Sequence, residues 1–409
     1  MLPIAPTGRH SLVAICPATV TSPPDWPTGP LPLRHRQAEA NATTRATYFS
    51  PACARILYGT DHQPHRWHQY LSAPVSAGVV FGAEIVLPNP SDHLGEAFVV
   101  FHLYSGAPEL IDILRAIAHR RDSTATPPDF ESLLPAWVTL KAGAKVFTVA
   151  FLTFTAGLPS MPHDPAPVVA WSNADQWLWQ LASRTTCADF PPDPDHADEL
   201  LAGTVALSAD WRGLVARDGA AFLALRADQG DDDPYLGFAQ YYAHAAYTDA
   251  LIIGMIQNTT IATLIDETAL AFDAKDLTRH LARLETRVAK FRTIYWLRDA
   301  STHSHANDLL TAYQAQHHLP EKFDAVLNEI ADLNRIAQTQ ESQRVGAALG
   351  ILTVVGLPFG AAFAILQVLG ANTWPDILIG IAAATAGTSA LLLTRLGRLL
   401  LRSLRALDS

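Results

Sequence analysis

Two runs near the C-terminus decide the fold: VGAALGILTVVGLPFGAAFAILQVL (345–369) and ILIGIAAATAGTSALLLT (377–394). Neither holds a charge, and their 25 and 18 residues compare with the roughly 20 needed to cross a hydrocarbon core about 30 Å thick. Both read as membrane helices. The seven residues 370–376 leave room only for a turn, so the spans are expected to form a tight hairpin. Arg344 precedes the first span, Arg395, Arg398, Arg402 and Arg405 follow the second, and Asp376 is the only charge between them. Arginine gathers on the cytoplasmic side. The turn is therefore expected outside, and residues 1–344 and the basic tail 395–409 in the cytoplasm, on a multi-pass protein of the cell (inner or plasma) membrane.

The 409 residues, 49% of them hydrophobic, allow one or two folded domains ahead of that hairpin. A net charge of -10 speaks against a broad basic surface, and no nucleic acid partner is expected. Cys16, Cys53 and Cys187 lie far apart with no metal-ligand spacing, which fits reduced thiols. The N-terminus turns proline-rich without a signal peptide's basic start and apolar run, so insertion is expected to be directed by the C-terminal spans.

Residues 1–75 mix Pro, Thr, Ala and His without a period of 2 or 3.6, and the expectation is an irregular segment. His62, His65 and His68 stand three apart, but Pro64 argues against a helix presenting them to a metal. Residues 76–234 read as an α/β domain. Strands are expected over 79–87, 97–104 and 146–154, helices over 108–119 and 174–184, and a hairpin turning at Asp218-Gly219. Asp231, Asp232 and Asp233 concentrate carboxylates; they read as a cation site or as an acidic turn before a helix.

From 235 to 344 the chain reads as long cytoplasmic helices and a stalk. The apolar stretch 251–256 belongs to a buried helix over 235–271, and one amphipathic helix is expected over 276–316, with Pro320 breaking the run. Phe323, Leu327, Ile330, Leu333 and Ala337 then keep a near-heptad stripe that continues toward the first span. Stalk and span read as one rod, roughly 70 Å long at about 1.5 Å per residue. Such a seam seeks partner helices, hence a homo-oligomer. The fold class is an α+β cytoplasmic domain, then long stalk helices and a C-terminal two-helix transmembrane hairpin.

A long helix entering a first span, a Gly-x-Asn turn and a second span ending in basic residues resemble the CorA family of divalent-cation transporters. Leu352-Thr353-Val354-Val355 leads to Gly370-Ala371-Asn372, where the family has a Leu-Thr-hydrophobic run and then Gly-Met-Asn. Ala371 departs from the Met, and the aromatic that follows Asn in the family is displaced to Trp374. The resemblance covers the C-terminal helices; residues 1–235 carry none in sequence. It implies a pore mouth at which Gly370 permits the backbone turn and the Asn372 carbonyl meets a hydrated cation, with Ala371 beside them and Asp376 gathering cations. It also implies a pentamer, no resident cofactor, and Mg2+ or another divalent cation as the transported or regulatory ion.

Along the first span, Gly346, Gly350, Thr353, Gly356, Gly360, Ala364 and Gln367 recur at steps of three or four. Such a stripe permits close helix packing or lines a pathway through an oligomer. Thr353, Gly356, Gly360, Phe363 and Gln367 are the pore-lining candidates, with Phe363 as a hydrophobic constriction. The expected function is a CorA-like ion channel or transporter gated by its cytoplasmic domain. The alternative is a membrane-anchored sensor or effector on the same scaffold, without selective transport, that binds a cytosolic ligand or protein partner. An enzyme is not expected: no phosphate loop, nucleophile elbow, paired-Cys motif or two-His metal-hydrolase motif occurs.

Overall fold

The sheet is built on β1 (His10–Val20), HSLVAICPATV, a strand in which no residue is exposed. Burial on both faces removes the alternation of apolar and polar residues by which a half-exposed strand is recognised. Residues 1–75 are thus not irregular, and the α/β domain does not begin at 76: its central strand lies within the first 20 residues. Pro17 is tolerated there because its carbonyl, and with it the side where an N–H would point, faces the gap at which the neighbour changes. One neighbouring strand pairs with residues 10–15 of β1, another with residues 18–20, and Lys141 N–H donates to the Pro17 carbonyl.

The computed structural model describes residues 4–22, 25–33, 38–75, 78–88, 95–105, 110–120, 123, 125–160, 171–271, 274, 276–297, 299–368 and 374–393. After β1 come α1 (Ala38–Tyr48), α2 (Pro51–Tyr58), the short strands β2 (Gly59–Thr60) and β3 (Gln63–Pro64), and β4 (Arg66–Val75). Ser50 caps α2 by accepting from Cys53 N–H, and Pro51 opens its first turn, where no N–H is needed. Then follow β5 (Gly78–Val86), β6 (Gly95–Ser105), α3 (Leu110–Ile117), β7 (Val138–Leu140), β8 (Phe147–Leu152), α4 (Asn173–Ser183) and α5 (Ala197–Leu200). The hairpin strands β9 (Thr204–Ala206), β10 (Trp211–Val215) and β11 (Gly219–Ala224) complete the sheet.

Its order is β4-β5-β6-β1-β8-β11-β10-β9, with β7 beside β1. The pairs are antiparallel except β8 with β11, which makes the sheet mixed. α3 and α4 cover one face: Leu110, Ile113 and Leu114 of α3 and Leu178 and Leu181 of α4 join Leu12, Ala14 and Cys16 of β1 in one buried cluster. All three cysteines are buried free thiols.

The helical remainder begins with α6 (Pro234–Tyr242), a π-helical turn over Ala243–Tyr247, and α7 (Thr248–Leu270). Among the described residues Pro234–Leu270 is the one helical run long and apolar enough by itself to cross a membrane, yet 67% of its most apolar window is buried, as in the core helix of a soluble domain; the two expected spans appear as the shorter apolar stretches Gly356–Val368 and Ile377–Ala390. α8 (Leu277–Ile294) and α9 (Ser304–Gln316) replace the single helix expected over 276–316. The break is held by side chains: Asn307 accepts from Ser301 N–H and donates to the Ser301 carbonyl, which closes the loop ahead of α9. Pro320 does not end a helix; it stands in the first turn of α10 (Leu319–Val368), which is followed by α11 (Trp374–Leu393).

Two compact units divide the chain. The larger, 1–265 with 287–324, holds the sheet and its helices, including Phe291 of α8 packed against Phe323 of α10 at 5.1 Å. The smaller, 266–286 with 325–409, has a core of Ala271, Leu281, Leu333 and Ala337, and Asn334 donates to Glu285 within it.

Candidate functional site

The expected pore residues fall in the smaller unit. Gly370, Ala371 and Asn372 lie outside the described residues, and Asp376 stands in the first turn of α11. Thr353, Gly356, Gly360, Phe363 and Gln367 are on α10 and all exposed. At about 100° per residue their spacing gathers them within an arc of about 80°. A Cβ added at Gly346, Gly356 or Gly360 would meet nothing within 4 Å, so the space beside these glycines is open.

α11 packs on another face of α10. A Cβ at Gly380 would stand 2.3 Å from Leu366, and one at Gly387 3.5 Å from Pro358. These pairs run in opposite directions along the two helices. Gly380 and Ala384 are buried, and with Gly387 they follow the four-and-three spacing that lets helices approach closely. Pro358 projects from the side of α10 opposite the Thr353–Gln367 arc, and Leu366 from its flank, about 100° from the centre of the arc. The close-packing residues are thus on α11, where the sequence reading did not look. Eleven of the nineteen exposed large apolar side chains among the described residues fall between Val345 and Ile381.

In the larger unit, sequence reasoning missed a buried ionic lattice. Arg45 of α1 donates to Glu84 of β5 at 2.9 Å and to Asp249 of α7 at 2.9 Å. Arg66 of β4 pairs with the same two carboxylates, at 2.7 Å to Asp249. All four side chains are at most 1% exposed. The ring is closed and neutral, with each cation bridging both anions, which is the condition for ions to be kept in a low-dielectric interior. Tyr58 O–H donates to Asp249 at 2.6 Å and Leu31 N–H to Glu84 at 3.0 Å.

His102 of β6 extends the ring, its Nε2 lying 3.3 Å from Glu84 and its Nδ1 3.0 Å from Nδ1 of His244 in the π-helical turn. An ionised carboxylate only accepts, which assigns the His102 proton to Nε2 and makes His244 the donor to Nδ1. Burial pushes the Glu84 carboxyl up, but the Arg45 and Arg66 guanidiniums overcome it and hold the group well below the usual carboxylate range. Burial lowers both histidines, His244 the further, and keeps them neutral at pH 7. A carboxylate inside an apolar strand, as Glu84 is, and another just ahead of the apolar run of α7, as Asp249 is, were the signals available in sequence.

The aspartates read as a cation site do not form one. Asp233 caps α6 through Leu236 N–H, and the Arg226 guanidinium holds its carboxyl down to about 2. Asp231 and Asp232 are exposed, and among the described residues no group of three or more His, Cys, Asp or Glu converges as a metal would need. His65 and His68 each bond a backbone carbonyl, those of Ile56 and Gly29. No known protein family, curated protein or solved structure matches the chain.

Proposed function

We propose that the chain is a CorA-like membrane ion channel or transporter for divalent cations such as Mg2+. In this reading α10 and α11 cross the bilayer as a hairpin with its turn outside, and copies of the chain assemble with the α10 stripe facing a shared axis. The α/β domain sits in the cytoplasm and sets the gate. One observation carries the reading: the stripe bearing Thr353 and Gln367 is exposed along α10, beside and not beneath the surface on which α11 packs. An amide facing lipid is expensive, and an oligomer gives it water or a partner. The exposed apolar residues between Val345 and Ile381 support lipid as the surroundings of the outer faces. The resemblance in the turn supplies the ion class, through the neutral amide of Asn372, which holds hydrated cations without a carboxylate's grip.

The reading is tested by divalent-cation influx into proteoliposomes holding the purified protein, against empty vesicles. Influx above the control is expected. Its absence for every divalent cation tried would favour the sensor or effector on the same scaffold.

A further inference from the structure

The larger unit contains a cavity of about 300 Å³ whose chemistry the transport reading does not use. Its floor is apolar, with Phe98, Phe147 and Met255, and its rim carries Lys145, Arg217 and Lys322. The one carboxylate in its lining, Asp218, is held by Lys145 at 3.1 Å, with Arg184 at 3.7 Å on the same group. Arg217 and Lys322 have no carboxylate partner among the described residues. The rim is left with two uncompensated positive charges, in a chain whose net charge is -10.

His317 stands among these cations. Burial, then Lys322 and Arg217, lower its imidazole to about 4, so the ring is neutral at pH 7. Its Nε2 is shut off from solvent, the imidazole is held by the Arg217 backbone, and the ring stacks on Tyr313 at 4.2 Å. Like charges gathered around a neutral imidazole over an apolar floor repel one another until an anion fills the space between them.

We propose that this cavity binds a small phosphate-bearing anion, with Arg217 and Lys322 on the phosphate oxygens and the organic part over the Phe98–Phe147 floor. The charge of a phosphate monoester, about -1.5 to -2 at pH 7, matches what the rim leaves uncompensated. The volume is at the lower end of small-ligand sites, which start at about 300 Å³. The three cations come from separate parts of the chain: Lys145 just before β8, Arg217 in the turn between β10 and β11, and Lys322 in the first turn of α10. A bound phosphate therefore ties the sheet to the start of the helix that runs unbroken to Val368, which gives the domain a ligand input independent of whether the protein conducts.

The experiment is calorimetric titration of the full chain in detergent with AMP, with inorganic phosphate and with adenosine. Saturable binding of AMP is expected, weakened at least about tenfold by Arg217→Ala or Lys322→Ala, since each removes a charge-assisted contact, and unchanged by Arg279→Ala. Both substituted side chains are exposed, so the fold survives their loss. Binding of inorganic phosphate alone, lost in the same variants, supports the site and assigns it the free anion. Adenosine binding as well as AMP, no binding of either phosphate probe by folded protein, or binding unaltered in both variants would overturn the proposal.

Discussion

Asp249 accepts from Arg45, Arg66 and Tyr58 at once, so its loss leaves two buried guanidiniums to share the single charge of Glu84. Asp249→Asn is expected to destabilise the α/β domain by about 3–5 kcal/mol, the cost of breaking a buried ion pair by removing one partner. Urea unfolding followed by tryptophan fluorescence measures it; a change under 1 kcal/mol would mean the lattice is solvated. The histidines give the domain an acid sensitivity whose sign is fixed. Burial lowers His102 and His244, and takes His10 down to about 4, whereas an unfolded histidine titrates near 6.5. The unfolded chain therefore binds more protons below about pH 6.5, and the stability present above that value is lost as the pH falls toward the folded values. Each such histidine costs up to about 1.4 kcal/mol per pH unit. Glu84, depressed by its arginines, withdraws its share only below its unfolded value near 4.3. The melting temperature should fall between pH 7 and pH 5, and less steeply in His244→Phe; a flat profile would contradict the assignment of buried neutral imidazoles.

At the level of elements, the glycines of α10 and α11 make opposite predictions. Gly380→Leu drives a side chain into Leu366 and should part the two helices, lowering the melting temperature of the protein in detergent. Gly356→Leu meets nothing within one chain. Any effect of Gly356→Leu on native mass or flux must come from other copies, so an unchanged assembly and unchanged flux in that variant would remove the stripe from the shared axis. Where elements were legible in sequence, the pattern was periodic and one-sided. The strands over 79–87 and 97–104 appear as β5 and β6, and Asp218-Gly219 closes the β10–β11 hairpin. β1 was hidden because no face of it is polar, and the gap between α8 and α9 because no glycine or proline marks it and the loop is closed by a Ser301–Asn307 exchange ahead of α9. The ionic lattice was illegible for another reason: Arg45, Arg66, Glu84 and Asp249 are spread over 205 positions of the chain and meet only in the fold.

For the molecule as a whole, the proposed topology, argued from the arginine asymmetry, has Trp374 outside and both termini in the cytoplasm. Trp374→Cys should react with an impermeant maleimide on intact cells. The three native cysteines are buried and contribute little background. Reaction only after the cells are opened would invert the topology. The proposed assembly also fixes a mass: in mild detergent the protein should have the mass of two or more copies of the 44.3 kDa chain, and a monomer would contradict a shared axis. The central claim, a divalent-cation path through that assembly, is tested most directly by comparing wild type with Asn372→Ala at equal abundance in proteoliposomes. Wild type should pass at least one divalent cation well above empty vesicles, and Asn372→Ala should reduce that flux to the empty-vesicle level. Flux undiminished in Asn372→Ala would contradict the pore mouth, and no flux of any divalent cation through wild type would contradict the path itself.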